Sequence, residues 1–369
     1  MFRERARVLL TWSITCLCVA TVTQAAEIDG SFLPAAPFAS SNAPAVPTWA
    51  AGNITPVSMD QSCAPQNAVM YSENICHGCP NCQGQSKGGC CESCPLFGCI
   101  APSDECFSDF ISPITNPLFF EDPRTLTEIR PIYASHWIPN SNAVFQGGNV
   151  QYLAAQVRIA LTERLSIIAT KDGFIWINSD NEAAVPDDEG WADVAAGLKY
   201  NLIRDPAGQF LLSAGLTFEL DAGEHQVFQG QGDGEFHFFA TSGKALSDRS
   251  HWLSAAGYRQ PTDTTKRSTM FYWSNHLDVE VIESWYALIE ANWFHWTKSG
   301  ENLGVNFEGG DLFNLGSTDV AGNDIVTLGV GGRKRFGKMN ELGAGYEFPV
   351  TSRKDLLEGR LYADVIFRY

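Results

Sequence analysis

Beyond residue 25 the chain has no run of 18 consecutive apolar residues, so no later segment is long enough to cross a membrane as a helix. Cysteine is absent after Cys106, which confines any disulfide or thiolate chemistry to the first third of the chain. Basic charge is scarce: 25 Lys and Arg stand against 42 Asp and Glu, for a formal net charge of −17. Nucleic acid is therefore excluded as a partner, because neutralising phosphates needs Lys and Arg. No Gly-rich loop follows a strand and opens a helix, which leaves nucleotide chemistry without its cradle.

The N-terminus carries Arg3, Arg5 and Arg7, then an apolar run from Val8 to Ala20, then Thr23-Gln24-Ala25-Ala26. That order predicts a secretory signal peptide over residues 1–26, with an apolar core too short for a membrane span. Cys16 and Cys18 leave with it. Removing residues 1–25 takes away three Arg and one Glu, and the formal charge falls from −17 to −19.

Residues 27–62 are rich in Ala, Pro, Ser and Asn and read as an extended tether. Residues 63–106 then crowd nine cysteines together: Cys63, Cys76, Cys79, Cys82, Cys90, Cys91, Cys94, Cys99 and Cys106. In an exported chain the leading reading is a small disulfide-stapled knot. A zinc or iron–sulfur site on Cys76, Cys79, Cys82, Cys91 and Cys94 stays open, since thiolates at two-residue spacings converge on one metal. A c-type haem is excluded, because none of Cys79, Cys82 and Cys94 is followed by His. Nine is odd, so one thiol is expected to be free, metal-bound or linked to another envelope protein. Residues 107–127, with Pro113, Pro117 and Pro123, read as a linker.

From residue 128 the pattern changes to alternation. Twelve candidate strands fall near Glu128–Trp137, Val150–Leu161, Leu165–Ile177, Trp191–Leu202, Gln209–Leu220, Gly234–Gly243, His251–Gln260, Met270–Glu280, Trp285–Thr297, Asn323–Phe336, Glu341–Val350 and Gly359–Tyr369. Most have the 9 to 11 residues of a tilted membrane-crossing strand. Ala192, Val194, Ala196, Leu198, Tyr200 and Leu202 oppose Asp193, Gly197, Lys199 and Asn201; Leu361, Ala363, Val365, Phe367 and Tyr369 oppose Arg360, Tyr362, Asp364 and Arg368. Charges at mid-strand are costly in a sandwich core and suit a wet lumen. Short turns, such as 162–164, 204–208 and 282–284, alternate with longer loops, such as 178–190, 221–233 and 298–322. The expected fold is all-β: an antiparallel up-and-down transmembrane β-barrel of about 12 strands over residues 128–369, preceded by an irregular cysteine-rich segment. Only closed barrels and helices satisfy every backbone group in lipid.

The aromatic residues Trp137, Trp176, Trp191, Tyr200, Phe210, Trp252, Tyr258, Trp273, Trp285, Trp293 and Tyr369 sit near strand ends, where interfacial girdles form. The inward set is Arg158, Asp193, Lys199, Glu219, Asp278, Glu280, Glu290, Arg333, Arg335, Glu347, Arg360, Asp364 and Arg368. These side chains would either line a channel and set its selectivity or pair across a closed lumen and fill it. The loop residues Asp180, Glu182, Asp187, Asp188 and Glu189 form a solvated acidic run, with weak calcium binding as the alternative. His225, His237, His251, His276 and His295 are scattered and unpaired at any metal spacing. Ser135 with His136, and Ser254 with His251, fall on opposite strand faces, so no catalytic pair forms and an enzyme is not expected.

Over residues 128–369 the chain resembles bacterial outer-membrane β-barrel proteins of the porin-like kind. The likeness is most specific at Leu361, Ala363, Val365, Phe367 and Tyr369, which look like the C-terminal signal read by that family's barrel-assembly machinery; Tyr369 stands where Phe is usual. The resemblance implies outer-membrane location after signal cleavage, lipid and the assembly machinery as partners, no cofactor, and a passive channel for small hydrophilic solutes. The alternatives are a structural envelope barrel that crosslinks through its cysteines, a barrel enzyme and a soluble secreted β protein.

Overall fold

A computed structural model describes residues 100–369. The signal segment, the tether and every cysteine of the 63–106 segment except Cys106 lie outside the described residues.

The strands are β1 (Glu128–Trp137), β2 (Gly148–Ala160), β3 (Leu165–Lys171), β4 (Phe174–Ser179), β5 (Asp188–Trp191), β6 (Val194–Asp205), β7 (Phe210–Leu220), β8 (Glu235–Ser247), β9 (Ser250–Pro261), β10 (Thr269–Ile282), β11 (Trp285–Lys298), β12 (Asp324–Phe336), β13 (Asn340–Pro349) and β14 (Gly359–Arg368). Each wall strand pairs antiparallel with its neighbour, and β1 pairs with both β14 and β2, which closes the sheet. Along β2 the neighbouring strand is β3 at one end and β4 at the other. β3 with β4, and β5 with β6, are therefore single staves interrupted once each, and the wall is a closed barrel of 12 staves.

Both interruptions correct strands expected to run unbroken. The third stave breaks at Asp172-Gly173, where Gly173 takes φ +106° and a Cβ would meet the Leu153 carbonyl oxygen at 2.3 Å. The fourth breaks at Ala192-Asp193, so Ala192, expected outward, is buried. A register shift between Asn201 and Ile203 puts Leu202 and Ile203 both outside.

Closure removes the sheet edges and gives the alternation its meaning. Leu153, Leu198, Leu216, Phe238, Leu277, Ile289, Val330, Leu342, Leu361 and Phe367 are exposed, while their strand neighbours Arg158, Lys199, Thr217, His237, Asp278, Glu290, Arg333, Glu341, Arg360 and Asp364 are buried. The outward charged side chains on the strands, Lys244, Lys298, Asp324 and Lys334 among them, fall close to strand ends. Between them runs an apolar belt that water does not stabilise and lipid does. Trp137, Trp191, Tyr200, Trp252, Trp273, Trp285 and Tyr369 are exposed on this outer side. The strands are long enough, and apolar enough on their outer face, to cross a lipid bilayer.

Tight turns join β2 to β3, β6 to β7, β8 to β9, β10 to β11 and β12 to β13, at the same end as both ends of the 128–369 segment. The longer connections, 138–147, 180–187, 221–234, 262–268, 299–323 and 350–358, gather at the other end.

Candidate functional site: a filled lumen

Residues 107–127, expected as a linker, run inside the barrel. Ala101 pairs with Ala160 at the tight-turn rim, and the Ser103 N–H donates to the Tyr369 carbonyl at 2.6 Å. The chain then turns inward, and Phe110 to Leu126 are buried without interruption. Its apex is a turn at Asn116, in the left-handed region at φ 51°, whose carbonyl accepts from the Phe120 N–H at 2.8 Å. The two limbs are tied by Arg124, which donates to the Phe110 carbonyl at 2.7 Å and to Asp122 at 2.7 Å.

A buried backbone without regular structure needs a partner for each polar group, and the inner wall supplies them. Glu290 accepts from the N–H groups of Ile114 and Thr115 at 2.8 and 2.6 Å, and Glu341 from that of Ser112 at 3.2 Å. Arg333 and Arg130 donate to the Pro113 carbonyl, Gln156 to that of Pro117, Tyr272 to that of Phe119, Thr241 to that of Glu121 and Ser213 to that of Pro123. Room comes from wall glycines: a Cβ on Gly329 would lie 2.6 Å from Thr115 Cγ2, and one on Gly243 3.0 Å from Phe110 and Pro123.

From the opposite end the 299–323 loop folds into the mouth, burying Phe307, Leu312, Phe313, Leu315 and Val320. Asp311 pairs with Arg360, and the Gly310 carbonyl accepts from Arg259 at 3.0 Å. Where the two inserts meet, Leu118, Asp311, Leu312, Arg360 and Tyr362 border a cavity of about 10 Å³, and a second of the same size lies against Phe119, Lys171, Glu219 and His237. Each has room for about one water.

The expected inward residues divide as follows. Arg158 and Lys199 hold Glu121 of the inserted segment, Arg158 also holding Glu128 at 2.9 Å. Asp193 and Glu219 converge on Arg267, each at 2.7 Å. Asp278 and Glu290 flank His276, and Asp364 joins Arg130 to Arg333. Glu347 accepts from Thr327 at 2.6 Å and lies 3.5 Å from Arg360; Arg368 donates to Glu128 and Ser112. Arg335 is partly buried and reaches the Ser108 carbonyl at 2.9 Å. Glu280 departs from expectation. Beside a register shift at the rim it accepts from the Ser284 N–H at 2.7 Å and takes no place in the interior.

Several members of the site escaped the sequence reading: Glu121, Asp122 and Arg124 in the supposed linker, Asp311 in a supposed outer loop, and the joining of His251 to His276 through Asp278. The signal for the first three was Phe107 to Leu126 itself, whose density of Phe, Ile and Leu is too high for a solvated linker. Cys106 lies at the mouth, its Sγ 3.1 Å from Arg204.

No protein-family model matches the chain, and no curated protein does. Solved structures similar to it include an outer membrane channel from Pseudomonas putida F1, at 13% identity over 70% of this chain and 100% of that one with a TM-score of 0.49. The KdgM porin follows at 9% identity, 66% and 99% coverage and 0.39, and the NanC porin at 8%, 66% and 100% and 0.42. The architecture is a closed antiparallel β-barrel of 12 staves with an apolar outer belt. Likenesses this low say nothing about what crosses it.

Proposed function

We propose that the barrel is a channel for small hydrophilic solutes that its own 107–126 segment holds shut. The observation that carries this reading is the self-sufficiency of the inner wall. Arg130 and Arg333 share Asp364, Arg368 and Arg158 share Glu128, Lys171 pairs with Glu219, and Arg259 with Glu235. With the inserted segment gone these charges would still be paired and would face water, as a conducting lumen requires. A barrel filled for good gains little from such a lining, since apolar packing of equal volume is often as stable as buried ion pairs. Lys199 differs, its ionic partner Glu121 belonging to the insert.

Liposome swelling tests the reading. Vesicles carrying the wild-type protein should swell slowly in isosmotic sugar, and those carrying Glu121→Gln faster, monosaccharides ahead of trisaccharides. Absence of swelling with a Glu121→Gln barrel that still shifts on heating in a gel would contradict it.

A further inference from the structure

Five polar groups, four of them buried, form a chain that the channel reading does not use. From the tight-turn mouth inward, Asp109 Oδ2 lies 3.3 Å from His251 Nε2, and His251 Nδ1 lies 2.9 Å from Asp278 Oδ1. Asp278 Oδ2 lies 3.0 Å from His276 Nε2, and His276 Nδ1 lies 2.6 Å from Glu290 Oε1. His251, His276, Asp278 and Glu290 are buried, while the Asp109 side chain is 39% exposed and meets water. Both ends touch the inserted segment: Asp109 belongs to it, and Glu290 accepts its Ile114 and Thr115 N–H groups.

Hydrogen counting fixes the proton content. Every contact in the chain sets an imidazole nitrogen against a carboxylate oxygen, and each needs one hydrogen. There are four contacts, and two neutral imidazoles bring one hydrogen each. The chain therefore holds two protons more than neutral rings and ionised carboxylates supply. Without them, lone pairs face lone pairs, and at the three contacts inward of Asp109 no water reaches them. Of the other charged or titratable groups, Arg124 of the insert bears on Asp109, Tyr286 on β11 bears on Asp109 and Asp278, and Arg333 on β12 bears on Glu290, while Arg335 and Glu280 act on Tyr286. The cations among them favour the carboxylates; none offers a replacement hydrogen between ring and carboxylate.

We propose that this relay is a two-proton binding site that latches the 107–126 segment into the barrel, and that losing those protons releases it. The proposal concerns release of the segment, whether or not solute then passes. Since the bound state holds the protons, attachment is full at low pH and is lost as pH rises. Two linked protons make the opening constant climb by up to about a hundredfold per pH unit, and one by about tenfold.

Amide hydrogen exchange on the 107–126 peptides of the folded full chain, expressed as protection relative to the free peptide, reads that constant directly. Between pH 7 and 10 protection should fall with a slope approaching two protons in the wild type. In Asp109→Asn, whose amide donates to a neutral His251, the slope should drop to one. Flat protection in the wild type would overturn the latch, and so would equal slopes in the two proteins. A barrel that never conducts leaves the exchange result readable, so the two proposals fail separately.

Discussion

Glu121 and Arg158 meet as a fork: Arg158 Nε donates to Oε1 at 2.8 Å and Nη2 to Oε2 at 2.5 Å, with Lys199 Nζ on the same carboxylate at 2.8 Å. An inserted carboxylate gripped by two wall cations is a charge-assisted attachment of the insert to the barrel. Glu121→Ala removes one side of a buried pair, which costs about 3–5 kcal/mol. Hydrogen exchange of the 107–126 amides should accelerate accordingly, while the amides of β10 and β11 keep their wild-type protection. An unchanged insert would show that the fork contributes nothing to its seating.

Gly329 leaves space for Thr115, since a Cβ there would approach Thr115 Cγ2 to 2.6 Å. Gly329→Val should therefore loosen the insert without unpairing the wall, giving faster exchange at Ile114 and Thr115 in a barrel that still resists detergent. Equal exchange in variant and wild type would place the insert elsewhere.

Asp355, in the 350–358 connection, has its pKa pushed by burial up to about 6, against the pull of Arg353. Its Oδ2 accepts from the Glu308 N–H at 2.8 Å, and burial likewise raises Glu308, which staples Leu315 and Ser317. A carboxyl with a raised folded value binds its proton more tightly when folded. The cap formed by these connections should therefore gain stability as pH falls from about 6 toward the ordinary value of 3.8, by about 3 kcal/mol. Proteolysis of the 299–323 loop should slow at pH 5 relative to pH 7, and Asp355→Asn should shrink the difference to the part that Glu308 supplies.

Leu198 and Leu216 face each other across β6 and β7 on the outer belt and are exposed. Leu216→Arg should cost about 2–4 kcal/mol of folding in a bilayer, read as a lower folded fraction in a heat-shift gel. A comparable yield would argue that this face is not in lipid.

The wall was legible because alternation is a local property: Leu342 to Val350 shows its two faces without reference to any other strand. Closure and strand count followed. The insert was not legible, because Pro113, Pro117 and Pro123 suggested a solvated linker, and partners such as Glu290 lie more than 170 positions away. Nor could spacing reveal the relay, in which His251 and His276 meet only because β9 and β10 pair and Asp278 lies between them. Asp311 was hidden for a related reason: a 25-residue connection between strands carries no mark that it folds inward to Arg360.

The most direct test is single-channel recording in planar bilayers, comparing the wild type with a Glu121→Gln, Gly329→Val double variant, both confirmed as folded barrels. A lumen filled by residues 107–126 gives long silence with rare brief steps for the wild type and sustained steps for the variant. Steps of equal size and duration in both would mean that the segment does not close the barrel.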